Sequence, residues 1–303
     1  MAVDDDPSAA VARRKLGREL RALRLAAQTE DGQKITAEHA AKYMERARPT
    51  LYRIEEGLPG VSIKNHDITA LAELYKVDEA TKADLLALAA ATRVKGWFAR
   101  FSDVLPPGFD MYVGLETAAA SVWAYEGERV HGLLQTEEYA REILRIPAAD
   151  APVPDDVEIE RRVAVRMRRQ EILTRADPPA VRLTWVLGEA VLHRPIGGPA
   201  VMAHQLRTIN EVAELPNVTV RVIPFNAGLH YGIDTGPFAI LRFPDNAEPP
   251  TAYMDNFTGH LLTHKASDIS RFDAARDAIQ NCALDEKSSR ELIHRAAKEP
   301  FGA

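Results

Sequence analysis

Leu16, Leu20, Leu23 and Ala27 recur at helical spacing in LGRELRALRLAA, with Arg13, Arg14, Lys15, Arg18, Arg21 and Arg24 around them. The pattern predicts an amphipathic first helix with a basic flank. After the polar QTEDGQK, Thr36 stands where an N-cap is wanted, ahead of a short helix AEHAAKYM that buries Ala40, Ala41 and Met44. RARPTLYRIEEG follows at 46–57. Its Arg48 precedes a proline, which biases it out of the α region; this predicts Arg48 as the cap and Pro49 as the first helical residue. Leu51, Ile54 and Leu58 fall on an inner face and Pro49, Tyr52, Arg53 and Glu56 on an outer one, with Gly57 placed to end the helix in the left-handed conformation. Ile68, Leu71, Leu74 and Tyr75 mark a fourth helix, and Asp78 caps a fifth that carries Leu85 and Leu88 inward.

Beyond VLPPGFD at 104–110, a turn by its two prolines and glycine, the pattern is mixed. LETAAASVWAYEG, TEEYAREILRI, VEIERRVAVRMRRQEILTR, MAHQLRTINEVAEL and SRFDAARDAIQNCAL read as helices. VRLTWVLG, NVTVRVIPF, FAILRF and TAYMDN are short β-branched and aromatic runs bounded by Pro, Gly and Asn, which read as strands. Alternation of strand and helix, then an antiparallel pair, predicts a layered domain. The expected fold class is therefore α+β: an all-α domain at 11–95, then a larger mixed α/β domain at 97–303. Residues 1–10, acidic and without period, are expected to be a disordered tail. Trp97 and Phe98 are expected to seat the second domain.

Composition changes this picture in two places. A chain of 303 residues that is 46% hydrophobic can supply two cores. Its net charge of -6 hides an asymmetry: residues 11–100 carry 17 basic against 12 acidic groups, whereas residues 101–303 carry 21 against 29. A basic head on an acidic remainder is the distribution expected when one domain meets phosphate. The single Cys282 cannot form an internal disulfide, MAVDDDPSAA is unlike a signal peptide, and no apolar run spans a bilayer, so a cytoplasmic protein away from membranes is expected.

Two short helices joined by a tight turn, the second with arginines at its start, are the parts that enter a major groove, where arginine binds guanine bidentately. The competing reading is a solvated helix in an ordinary bundle. One such helix buries too little DNA surface for specific affinity, so a homodimer on double-stranded DNA is expected. In the larger domain, Trp123, Tyr125, Trp185, Phe225, Tyr231 and Tyr253, with His131, Gln135, Arg221, His230 and Asp255 as polar groups, are candidates to line a pocket for a small-molecule effector; core packing is the alternative for each. The basic run from Arg161 to Arg175 reads as a solvated helix face or a second DNA or partner surface. His260 and His264 would share a helix face for a metal, with Asp255 or Asp268, but their neighbours are strand-like and no metal is expected. GxxxxGK[ST], HExxH, GxSxG and GxGxxG are all missing, so neither an enzyme nor a cofactor is expected; a DNA-tethered enzyme is the remotest reading.

The order LGRELRALR, ITAEHAAKYM, RARPTLYRIEEG, ITALAELYKV resembles the XRE family, the lambda-repressor-like helix-turn-helix, through Arg53-Ile54-Glu55-Glu56-Gly57 and Leu71 to Val77. The resemblance assigns base reading to Arg48, Thr50 and Tyr52 and backbone contacts to Arg46, Arg53 and Thr36. This chain departs from the family in having Glu45 for the turn glycine, Ala47 for the cap serine, and Thr36-Ala37 for Thr-Gln. Val130-His131-Gly132-Leu133-Leu134-Gln135-Thr136 is similar to the V-P-G-L-L-Q-T hallmark of an uncharacterised domain that follows such modules in many actinobacterial regulators. That resemblance implies a regulator of development or secondary metabolism, with a small acidic partner protein, an antitoxin-like arrangement, as the alternative to a small-molecule effector.

Overall fold

The computed structural model describes residues 8–106, 108–147, 152–256 and 259–298. They form two compact units. Residues 103–105 belong to the second unit, and 106–118 return to the first.

The first unit is helical: α1 (Ser8–Ala26), α2 (Ala37–Tyr43), α3 (Arg48–Glu55), α4 (Asn65–Leu74), α5 (Glu79–Ala91) and α6 (Phe109–Ala118). Leu16, Leu20, Met44, Leu51, Ile54, Ile68, Leu71 and Leu85 meet in one core, as their spacing predicts. Residues 1–7 of the expected tail lie outside the described residues, but 8–10 form the first turn of α1 and Ala10 is buried. Its burial has a partner: a Cβ on Gly114 of α6 would stand 2.8 Å from the Ala10 Cβ. Trp97 and Phe98 pack inside this unit, edge to face at 5.8 Å, with the Phe98 ring over Gly96 and Gly114.

Gly17 sets the distance between α1 and α3. A Cβ there would lie 2.4 Å from the Ile54 carbonyl oxygen and 2.6 Å from that of Glu55, so only glycine permits this approach. Arg24 then reaches across α1 to Glu55, donating from Nε at 2.6 Å and from Nη2 at 2.9 Å, and Arg21 pairs with Glu56.

The second unit holds β1 (Ser121–Glu126), α7 (Glu137–Leu144), α8 (Asp156–Gln170), β2 (Arg182–Gly188), α9 (Ala190–His193), α10 (Pro199–Val212), β3 (Val218–Ile223), α11 (Tyr231–Thr235), β4 (Phe238–Arg242), β5 (Thr251–Asn256), β6 (Gly259–Thr263), α12 (Ala266–Cys282) and α13 (Glu286–Lys298). The sheet order is β3-β2-β1-β4-β5-β6. β1, β2 and β3 run parallel, and β4, β5 and β6 continue antiparallel. The fold class is the α+β arrangement expected, with one element misread. SVWAYE, taken as helix because of the alanines before it, is a strand with Val122 through Tyr125 buried; helix α6 ends at Ala118, three residues before it. Trp123, Tyr125, Val186, Phe238 and Ile240 cover one face of the sheet and pack on Ala275 and Ile279 of α12. Alternation sends Trp185 to the other face, where it is fully buried.

Candidate functional site

Helix α2 begins at Thr36, whose Oγ1 accepts the His39 N–H at 3.1 Å. It ends in a Schellman motif: the Glu45 N–H donates to Lys42 O, the Arg46 N–H donates to Ala41 O, and Glu45 takes φ 55°. Glycine would adopt that conformation without steric cost; glutamate does not. Helices α3 and α4 close in the same way, through Gly57 at φ 65° and Lys76 at φ 55°.

The cap of α3 is Ala47, with extended dihedrals and no side-chain bond, and Pro49 is the second helical residue. The expectation of Arg48 as cap is corrected by one position: the pre-proline bias is outweighed by the tight turn, which already supplies an extended residue at Ala47. Leu51 and Ile54 are buried as expected, but Leu58 lies past Gly57 and is 38% exposed. Tyr52 is 57% exposed, with Arg48 and Arg53 exposed beside it and Thr50 half-buried.

Charge on α3 is sorted by face. At its end, Glu55 and the C-cap Glu56 are matched by Arg24 and Arg21 of α1, so Glu56 turns toward α1 and away from the outer face expected for it. Among the described residues no hydrogen bond or ion pair ties Arg48, whereas Arg53 donates from Nη2 to the Pro59 carbonyl at 2.7 Å. The outer face is thus left with a positive, ring-bearing surface. Arg46 differs from its expected role. Its Nε and Nη2 donate to Asp67 Oδ1 and Oδ2, both at 3.1 Å, and Asp67 is fully buried while accepting the Lys64 N–H at 3.0 Å. Arg46 therefore fixes the start of α4 against the turn; a backbone phosphate would have to share it.

In the second unit, most of the expected pocket residues do not come together. Trp123 and Trp185 lie on opposite faces of the sheet as core, and Tyr253 is buried on β5. Arg221 donates to the Leu284 and Ala283 carbonyls at 2.7 and 2.8 Å, closing the end of α12. His131 caps a short 3-10 turn through the Leu133 N–H. Gln135 donates to Val130 O and accepts from Arg166 Nη1, both at 2.7 Å, while Gln205 donates to Leu134 O and accepts the Thr136 N–H, also at 2.7 Å. The hallmark loop is thereby a buried structural knot. The basic run helps tie it: Arg169 is buried against it, Arg161 pairs with Asp103 and Arg162 donates to Val104 O. His260 lies on β6 opposite Asp255 and His264 just beyond that strand, so no helix face joins them.

A cavity of about 660 Å³ does exist, at the carboxyl ends of β1, β2 and β3. Glu126, Arg129, Glu189, Phe225, His230 and Ile233 are among its walls. Of the expected residues Tyr125, Phe225 and His230 line it, with Asp255 touching its rim through Arg129 at 3.4 Å. Burial pushes the Glu126 carboxyl up to about 7, against the pull of Arg129 at 3.6 Å; burial pushes His230 down.

Residues 15–85 match a helix-turn-helix domain, and residues 109–295 match a domain of unknown function, DUF5753. The chain belongs to the DUF5753 family. No curated protein and no solved structure matches it. The DUF5753 segment begins at α6, which packs with the helical unit, and includes the whole sheet and the cavity. Reading β1 as helix hid the Glu126 site, since a ligand crevice is sought where parallel strands end. Among the described residues no helix is long and apolar enough to cross a membrane.

Proposed function

We propose that this DUF5753 protein is a sequence-specific, DNA-binding transcription regulator of the XRE type, working as a homodimer in the cytoplasm and not as an enzyme. The observation that carries the reading is the outer face of α3. The carboxylates Glu55 and Glu56 are matched by α1 away from that face, and Arg48, Tyr52 and Arg53 are presented together on it at the second helix of the motif. Arg48 and Thr50 read bases near the helix start, Tyr52 packs on the groove wall, and Arg53 and the Thr36 hydroxyl hold backbone phosphates. Arg46 is a positioning residue. The DUF5753 unit receives the signal, in the setting of development or secondary metabolism that the sequence resemblance implies. The acidic walls of its cavity disfavour a small acidic protein at that face.

Selection of bound sequences from a random DNA pool by the full chain gives the operator. On that site Arg48→Ala should lose about 1–3 kcal/mol and relax preference at one base pair. Binding of Arg48→Ala and Arg53→Ala as tight as the parent across salt would remove α3 from the groove.

A further inference from the structure

Three features of the cavity at the ends of β1–β3 specify a ligand. Its walls hold more acid than base: Glu126, Glu128 and Glu189 against Arg129. Adding their exposed ion partners, Asp255 on Arg129 and Arg194 on Glu128, leaves the same excess of two carboxylates. Glu126 keeps only 14% of its side-chain surface, and its pairing with Arg129 at 3.6 Å is beyond hydrogen-bond length. One wall is apolar and already open to solvent: Phe225 is 65% and Ile233 63% exposed, with Pro224 and Pro237 beside them. Part of the lining is backbone, because Gly127 and Gly188 approach so closely that a Cβ on Gly188 would meet Gly127 O at 3.3 Å. His193 lies 3.6 Å from Glu189 and stacks on Phe225 at 5.9 Å, extending the apolar wall.

We propose that this cavity binds a small organic cation, an amine carried on an apolar ring or chain, with the ammonium set among the carboxylates of Glu126 and Glu189 and the apolar body on Phe225 and Ile233. An anion would meet the carboxylate excess, and a neutral apolar molecule would leave Glu126 with the cost of its burial. The carboxyl end of the parallel strands, beside the point where the sheet turns antiparallel at β4, is where open α/β sheets place ligands. The proposal rests on reading the DUF5753 unit as the part that receives a signal. Binding is measured separately from DNA so that the two fail separately.

The test is ligand-observed NMR titration of the full chain at pH 8 with phenethylamine, 2-phenylethanol and 3-phenylpropanoate. The expected result is saturable phenethylamine binding at least about tenfold tighter than the alcohol, and none for the carboxylate. Glu126→Gln should erase the preference for amine over alcohol, while Ile233→Ser, at an exposed position that cannot endanger the fold, should weaken amine and alcohol alike by about threefold. Equal binding of amine and alcohol, binding of the carboxylate, or amine binding untouched by both variants would overturn the assignment. So would a lysine-rich peptide that outcompetes phenethylamine, since the occupant would then be a protein side chain. Amine binding without any change in operator affinity would sink the sensor reading and leave the site standing.

Discussion

Replacing Gly17 with alanine sets helix propensity against geometry. Alanine in the middle of α1 gains about 0.8–1.0 kcal/mol over glycine by propensity alone. In this fold the new methyl would sit 2.4 Å from Ile54 O and 2.6 Å from Glu55 O, both backbone atoms of α3 that no rotamer change can move. Restoring an ordinary C···O contact of roughly 3.3 Å requires the helices to part by nearly 1 Å. Leu16, Leu20, Leu51 and Ile54, none more than 1% exposed, would then lose part of their contact, since a gap of about 0.5–1 Å forfeits a quarter to a half of the dispersion well. Overpacking of this kind costs about 1–3 kcal/mol, and the Arg24–Glu55 pair stretches with it. After the propensity gain, the variant should be up to about 2 kcal/mol less stable. For a unit of roughly 100 residues that lowers its transition by up to about 15 °C in a circular-dichroism melt of the full chain. A transition at or above the parent's would refute the close approach of α1 and α3.

Other expectations follow from the same geometry. Glu45→Gly and Lys76→Gly should each stabilise the helical unit by roughly 0.5–1 kcal/mol, because relief of the left-handed conformation outweighs glycine's unfolded entropy; urea midpoints that fall would contradict it. Arg46→Ala, by leaving Asp67 buried without its guanidinium, should lower the stability measured by urea unfolding by about 1–3 kcal/mol and change the salt slope of DNA binding little. Glu126, faced by Arg129, Asp255 and Arg166 and sharing its cavity with Glu128, Glu189 and His230, holds a proton in the folded state that the unfolded chain releases. Its contribution to stability is therefore complete below pH about 4.5 and is lost as pH rises through about 7, by no more than roughly 3 kcal/mol. Unfolding of Glu126→Gln at pH 5 and pH 8 should show a flatter dependence than the parent, and an unchanged slope would remove Glu126 as its source.

Helix periodicity was legible because α1, α4 and α5 carry long apolar stripes over a single core, and Thr36 and Asp78 cap as their chemistry dictates. The strands β2 to β5 declared themselves through β-branched runs between turn residues. SVWAYE did not: buried on both faces in the middle of the sheet, it has no polar alternation to show, and the alanines ahead of it pull a local reading toward helix. The outer face of α3 could be read from spacing, whereas the tethering of Arg46 depends on Asp67, 21 residues away. Most of the aromatic and polar residues picked for a pocket were conspicuous because cores and caps need them, while Tyr125, Phe225 and His230 do line the cavity. The cavity itself is built from strand ends and glycines, whose meaning appears only once the strand order is known.

The border of the DUF5753 match at residue 109 and the physical border at residue 118 do not coincide. Anyone dividing this protein for separate expression meets that difference at once. A head ending at residue 95 strips α6 from α1, taking Gly114 away from Ala10. A body beginning at 97 inherits a helix whose neighbours have been left behind. The cut that keeps α6 with α1 falls in the two residues between α6 and β1, Ala119 and Ala120; it leaves Asp103 and Val104, which hold Arg161 and Arg162, on the helical side, together with the first ten residues assigned to the family of the other part.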